Sequence, residues 1–365
     1  MKLPALRGCL RELGWRHTIL EHATGGIVVA LERGARILGV YPDAEGDNLV
    51  WVCPDLADRE AAESRFSQTP GWNTGGENGA GSAPRLNFIF ATFKIRTAIP
   101  CNRRSIPAIT GWRTGRQAPQ ARNGGKRARR KPTEAGGALS FRMQKTCRMV
   151  EDPLQAAGLK PDDLVYAYVG YETETGIELD DRDHGPAVSL WTLLQVPAGG
   201  EALIPVYGLA EPTDFFAATG PGHLTAAPGA LRFRIDARET HKISLKSVQT
   251  TGRFGYIRRG GNGICHLLVR QIAVQPSGVY RDVPAGDLND YGHCIQFYND
   301  DGAIGSFGGA GASLAGINAV LRRSGARKAD GRVASMGLQR FGARHRADRV
   351  PLVRHANLEC KGKEA

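Results

Sequence analysis

An all-β, antiparallel fold with one short N-terminal helix is what this sequence predicts, and three observations carry the prediction. Short runs of β-branched and aromatic residues recur along most of the 365 residues, parted by Gly, Pro and Asp turns. Several of these runs alternate apolar and polar residues with the two-residue period of a half-buried strand, most cleanly in Leu231-Arg-Phe-Arg-Ile-Asp236. Helical patterns do not alternate with them, which argues for a sandwich over a βαβ fold.

Taken in order, Leu3, Leu6, Leu10, Leu13 and Trp15 have near-helical spacing and predict a short amphipathic helix within residues 1–20. Two β-branched runs then flank Glu32-Arg33-Gly34, the pattern of a hairpin, and residues 48–53 read as a third strand. Further strands are expected at 139–145, 165–169, 176–179, 188–196, 202–207, 231–236, 254–258, 264–274 and 293–298. They fit a single β-sandwich domain over residues 21–320.

The formal net charge of +12 is unevenly placed. Residues 101–150 carry about +12 and residues 321–365 about +8, leaving about −8 for everything else. The high pI therefore describes two segments, an irregular basic stretch at about 79–137 and a basic tail at 321–365. Both are rich in Gly, Ala and Arg and lack periodicity, so neither buries enough apolar surface to fold alone. Three readings stay open for them: arms that contact nucleic acid or anionic surfaces, solvated loops, and sequence translated out of frame from a GC-rich gene. The patterned remainder is mildly acidic, so nucleic acid is the weaker partner reading.

A membrane span would need 18 or more consecutive apolar residues, and the chain has no such run. Arg11, Glu12 and Arg16 interrupt the N-terminus where a signal peptide would stay apolar, so a cytoplasmic protein is expected. The seven cysteines form no CxxC pair and have no regular spacing, which argues for reduced thiols and against a disulfide framework or a structural zinc site. With no HxH or HExxH pair either, no metal is expected, and the absence of GxGxxG and Walker-type motifs leaves no cofactor implied.

Chemistry-bearing residues gather in four places. Trp72, Asn73 and Glu77 join an aromatic ring, an amide and a carboxylate to the glycines of Gly71-Trp-Asn-Thr-Gly-Gly-Glu77. A sugar site needs a flat apolar ring beside such hydrogen-bonding groups, although a glycine-rich turn explains the motif as well. Alternation puts Trp191 and Gln195 on one face of their strand, where they can stack on and bond to one ligand. In Glu239-Thr-His-Lys-Ile-Ser-Leu-Lys246 it puts Lys242, Ser244 and Lys246 on one face and His241, Ile243 and Leu245 on the other. Arg270 and Gln296 complete the set, with Gln296 and Tyr298 in phase. His241 offers a general acid and Glu178 a base.

These residues together resemble the galactose mutarotase-like superfamily, more closely a bacterial branch of it. The matching pieces are Gly25-Gly26 with Glu32-Arg33-Gly34, Trp72-Asn-Thr-Gly-Gly-Glu77, residues 190–205, His241-Lys-Ile-Ser-Leu-Lys246, Arg270-Gln271 and Gln296-Phe-Tyr298. The resemblance implies an antiparallel β supersandwich whose concave face binds a carbohydrate. It further implies that any chemistry is sugar epimerisation, in which one group protonates the ring oxygen and another deprotonates the anomeric hydroxyl. The chain departs from the family in three places. Gly-Gly-Glu77 runs into the first basic segment, and residues 190–196 offer Trp191 and Gln195 where true mutarotases carry a histidine. Beyond Asp301, Gly305-Ser-Phe-Gly-Gly-Ala-Gly311 replaces a Glu-bearing strand. A non-catalytic sugar-binding or sensor module on the same scaffold is the alternative.

Overall fold

The computed structural model describes residues 1–68, 74–77, 81–82, 94–97, 109–114, 141–158, 165–179, 190–260, 264–280, 282–283, 290–303, 305–313 and 327–340. Helix α1 (Leu3–Glu12) buries Leu3, Leu6 and Leu10 on one face, and Pro4 sits in its first turn, where a missing N–H costs nothing. A meander follows: β1 (His17–Glu21), β2 (Ile27–Leu31) and β3 (Arg36–Tyr41) pair antiparallel in that order. The expected hairpin turn at Glu32-Arg33-Gly34 is present, with Gly34 and Ala35 at positive φ.

Residues 48–53 form no continuous strand. The Asn48 side chain takes the place of a ladder partner, accepting from the backbone N–H of Val40 and of Val50 and donating to Leu38 O. The segment instead laces across the sheet, with Trp51 N–H on Gln195 O and Cys53 N–H on Thr74 O. A 3₁₀ turn (Pro54–Ala57) leads into α2 (Arg59–Gln68), a helix the sequence pattern did not announce. Its signal is a cap: Asp58 Oδ1 accepts from Ala61 N–H at 2.8 Å.

Next come β4 (Gly81–Ser82), β5 (Lys94–Thr97), β6 (Ile109–Thr114), β7 (Phe141–Met149), the single turn α3 (Pro153–Ala156) and β8 (Tyr166–Leu179). They are followed by β9 (Leu190–Pro197), β10 (Gly200–Pro205), β11 (Thr213–Asp214), β12 (Leu224–Ala227), β13 (Ala230–Ile235) and β14 (His241–Leu245). The chain continues through β15 (Arg253–Arg259), β16 (Cys265–Ile272), β17 (Ile295–Asn299), β18 (Phe307–Ser313) and β19 (Arg327–Arg340). A ten-stranded sheet runs β12-β13-β10-β15-β16-β19-β8-β7-β6-β5, and a six-stranded sheet runs β11-β14-β17-β18-β9-β4. Every strand pair in both is antiparallel.

Glu77 joins the meander to the six-stranded sheet, bridging Ile37 on one side and Leu194 on the other. The glycines before it are required by this splice. Gly75 and Gly76 have φ of 97° and 71°, and a Cβ on either would collide with the carbonyl oxygen of Trp51 or of Ile37. The main core lies between the sheets, where Leu194, Val196, Ile243, Leu245, Ile295 and Phe297 meet Val169, Ile204, Phe233, Phe254, Leu268 and Ile272. A second core joins α1, the 3₁₀ turn and α2 to the far face of the meander through Leu6, Leu10, Val29, Leu38, Trp51 and Phe66.

The basic segments contribute backbone to both large sheets. β19 is hydrogen-bonded on both sides, to β16 and to β8, so the ladder satisfies its polar backbone groups whatever its side-chain pattern. β4, β5 and β6 come from the first basic segment, and the remainder of both segments lies outside the described residues. No helix among the described residues is long and apolar enough to cross a membrane.

Candidate functional site

Strand alternation divides the polar residues of the six-stranded sheet between its two faces. Thr192, Leu194 and Val196 on β9, Ile243 and Leu245 on β14, and Ile295 and Phe297 on β17 point into the main core or its margin. Trp191, Leu193, Gln195, Lys242, Ser244, Gln296 and Tyr298 occupy the other face. The registers align them in two cross-strand rows, Ser244–Gln296–Gly311–Leu193 and Lys242–Tyr298–Gly309–Gln195. Gly309 and Gly311 let their neighbours lean over β18: a Cβ at Gly311 would stand 2.9 Å from Gln296 Oε1 and 3.1 Å from Trp191 Nε1.

One network fixes this face. Trp191 Nε1–H donates to Gln296 Oε1 at 3.0 Å, and the Gln296 amide nitrogen donates to His293 O and to Ser313 Oγ, each at 3.1 Å. Beside it, Asp282 accepts from Lys242 Nζ at 2.6 Å and from Ser244 Oγ at 2.9 Å. Lys242 also sits 3.9 Å from the centre of the Phe215 ring, a cation–π contact. His293 anchors the loop that carries Asp282. Its Nδ1–H donates to Asp282 O at 2.8 Å, which leaves Nε2 to accept from the Thr213 hydroxyl at 2.9 Å. The result is a half-buried indole held on a buried amide, beside an oriented ammonium–carboxylate pair.

A second polar cluster lies on the opposite side of the same sheet, inside the sandwich. Glu77 is fully buried, 3.3 Å from Arg270 and 3.9 Å from Lys145, with the hydroxyls of Tyr171 at 2.6 Å and Thr192 at 3.3 Å. Arg270 is also fully buried and donates to Ala310 O and Thr192 Oγ1. Burial alone would raise the Glu77 pKa, but Arg270, Lys145 and the two hydroxyls outweigh it and hold the carboxyl below its ordinary range. For Lys145 burial wins over the Glu77 charge and lowers the pKa. This cluster is an internal ionic tie between the two sheets.

The structure thus separates the residues that the sequence grouped. Trp191, Gln195, Lys242 and Gln296 share the outer face of the six-stranded sheet, while Glu77 and Arg270 pair inside. His241 is in core phase at the start of β14, across the sheet from Lys242, as its alternation with Ile243 and Leu245 requires. Glu178 lies on β8 in the other sheet, opposite Lys328 and Arg142. Trp72 and Asn73 lie outside the described residues. Site residues that sequence reasoning left unassigned are Asp282, His293, Ser313, Lys145, Tyr171 and Thr192. One signal pointed to Lys145: it stands in phase with Leu139, Phe141 and Met143, a charge at a core position.

The architecture defines the class, an antiparallel β supersandwich with a short N-terminal helix. No protein-family model matches the sequence, and no curated protein does. Among solved structures the chain is similar to the Slr1438 protein of Synechocystis sp. PCC 6803, at 9% identity over 90% of this chain and 96% of that one, TM-score 0.45. It is similar to galactose 1-epimerase from Lactobacillus acidophilus at 13% identity over 90% and 95% of the two chains, TM-score 0.42. The same holds for a GalM/aldose epimerase homologue from C. elegans, at 8% identity over 88% and 98%, TM-score 0.40.

Proposed function

We propose that this protein binds a carbohydrate on the outer face of the six-stranded sheet, at Trp191, Gln195, Gln296, Lys242 and Asp282. The observation that carries this reading is the Trp191–Gln296 pair beside the Lys242–Asp282–Ser244 group on one face. A pyranose presents an apolar face of C–H groups and a rim of hydroxyls. An indole, oriented by the Gln296 amide, supplies the platform for the first, and the ammonium, hydroxyl and carboxylate of Lys242, Ser244 and Asp282 supply donors and acceptors for the second.

Calorimetric titration of the full chain with a panel of aldoses and short oligosaccharides tests the proposal. At least one sugar is expected to bind, with Trp191→Ala weakening it tenfold or more and Lys242→Met also reducing affinity. Absence of binding across the panel, or wild-type affinity in Trp191→Ala, overturns it. NMR of anomer interconversion on the sugar that binds then separates the two functional classes. Acceleration over buffer supports a sugar epimerase, and binding without acceleration supports a sugar-binding module.

A further inference from the structure

His223, Glu239 and His241 converge at the start of β14, one strand in from the β11 edge of the six-stranded sheet, on the core side and away from the proposed sugar face. One ligand atom from each lies within 4.8 Å of the others. The two imidazole rings stand side by side, centroids 4.6 Å apart. His241 is 3% exposed, yet its Nδ1 has no hydrogen-bond partner, and its Nε2 stands 3.6 Å from Glu239 Oε2, beyond hydrogen-bond distance. A buried imidazole normally commits its polar atoms, because leaving one unsatisfied costs about 1–3 kcal/mol.

The surroundings hold these groups in place. Asp236 Oδ1 lies 3.2 Å from His223 Nε2, the carboxylate–histidine contact that fixes the ring orientation of metal-ligating histidines. The loop that carries Asp236 and Glu239 is pinned by the fully buried Asn299. Its Oδ1 accepts from the N–H groups of Asp236 and Ala237, and its Nδ2 donates to Asp236 Oδ1 and Glu239 O. Ala237 takes a positive φ of 55° in that turn. Glu239 remains solvent-exposed and His223 partly so, giving an ion a path of entry.

From this geometry we infer a binding site for a divalent transition-metal ion, with His223, His241 and Glu239 as ligands and Asp236 as the residue that positions His223. Two imidazoles and one carboxylate match the ligand preference of Zn²⁺ and its neighbours over that of Mg²⁺ or Ca²⁺. Three protein ligands leave a fourth position for water. No short motif announces the site, since Glu239 and His241 flank a turn-to-strand junction and His223 comes from an earlier loop. The inference is independent of the carbohydrate reading.

Titrating Co²⁺ into the untagged full chain tests it. The expected result is saturable visible absorption at one equivalent, displaced by Zn²⁺, with Zn²⁺ also raising the thermal midpoint. Glu239→Gln and His223→Gln should each weaken binding tenfold or more, and Asp236→Asn by about 10–100-fold. Glu239 is exposed, so its variant keeps the fold, which circular dichroism verifies. Absence of a one-equivalent site, or unchanged affinity in both ligand variants, overturns the assignment.

Discussion

Replacing Glu77 by Gln removes the carboxylate that faces two buried cations, and the geometry sets the size of the effect. At 3.3 Å from Arg270 and 3.9 Å from Lys145, the gross attractions are about 5 and 4 kcal/mol with an effective dielectric of about 20. Most of that offsets the cost of taking the charges out of water, so the net loss on breaking the cluster from one side is about 3–5 kcal/mol. Urea unfolding should show this as a lower midpoint with an unchanged slope. The double variant Glu77→Gln/Arg270→Gln should lose less than the sum of the single changes, because each single change strands a buried partner. The pH dependence carries a sign. The Glu77 pKa is held down in the folded state, so its contribution is complete above the unfolded value of about 4.3 and fades as pH falls through the lower folded value. Glu77→Gln should lack that acid-sensitive component. A stability within about 0.5 kcal/mol of wild type would refute the reasoning. If sugar affinity fell instead, Glu77 would be a ligand-binding group.

Two further tests concern the splice and the thiols. Gly76→Ala forces a left-handed conformation and drives a methyl group into the Ile37 carbonyl, so it should cost well over the ~1–2 kcal/mol of the backbone conformation alone. Gly25→Ala, at φ 93° with nothing within 4 Å, is the control that carries only the conformational part; equal unfolding midpoints for the two would refute the clash. Burial pushes the Cys147 and Cys294 thiols up to about 12, so both should resist a thiol reagent at pH 8 in the native protein and react once it is unfolded. Rapid native labelling of either would contradict the packing.

Alternation made faces legible but not neighbours. The sequence placed Trp191 with Gln195, Lys242 with Ser244, and Gln296 with Tyr298, and each pair does share a face. That β14, β17, β18 and β9 then lie side by side depends on pairings between distant parts of the chain, which a two-residue period does not encode. The same limit applies inside the sandwich, where Glu77 and Arg270 were both singled out but nothing in the text joined them. Residues 48–53 show local chemistry overriding pattern: a run of good strand residues gave way where the Asn48 side chain took over hydrogen bonds of a ladder. Helix α2 was missed for the converse reason, since its polar surface has no periodicity and only the Asp58 cap marks its start.

His241 shows how a two-residue period can decide between roles for one side chain. Its phase with Ile243 and Leu245 excludes it from any ligand that Lys242 and Ser244 contact, because neighbours on a strand project to opposite faces. The pairing of Lys242 with Asp282 on one side and the approach of His223 and Glu239 to His241 on the other follow from that single constraint. A charged or imidazole group in core phase is costly unless something satisfies it. Glu77, Lys145 and Arg270 balance one another's charge between the sheets, although the buried Nε of Arg270 makes no hydrogen bond. The buried Nδ1 of His241 finds no protein partner. It is therefore in the core-phase polar residues, more than in the two basic segments, that this sequence marks where to look for chemistry.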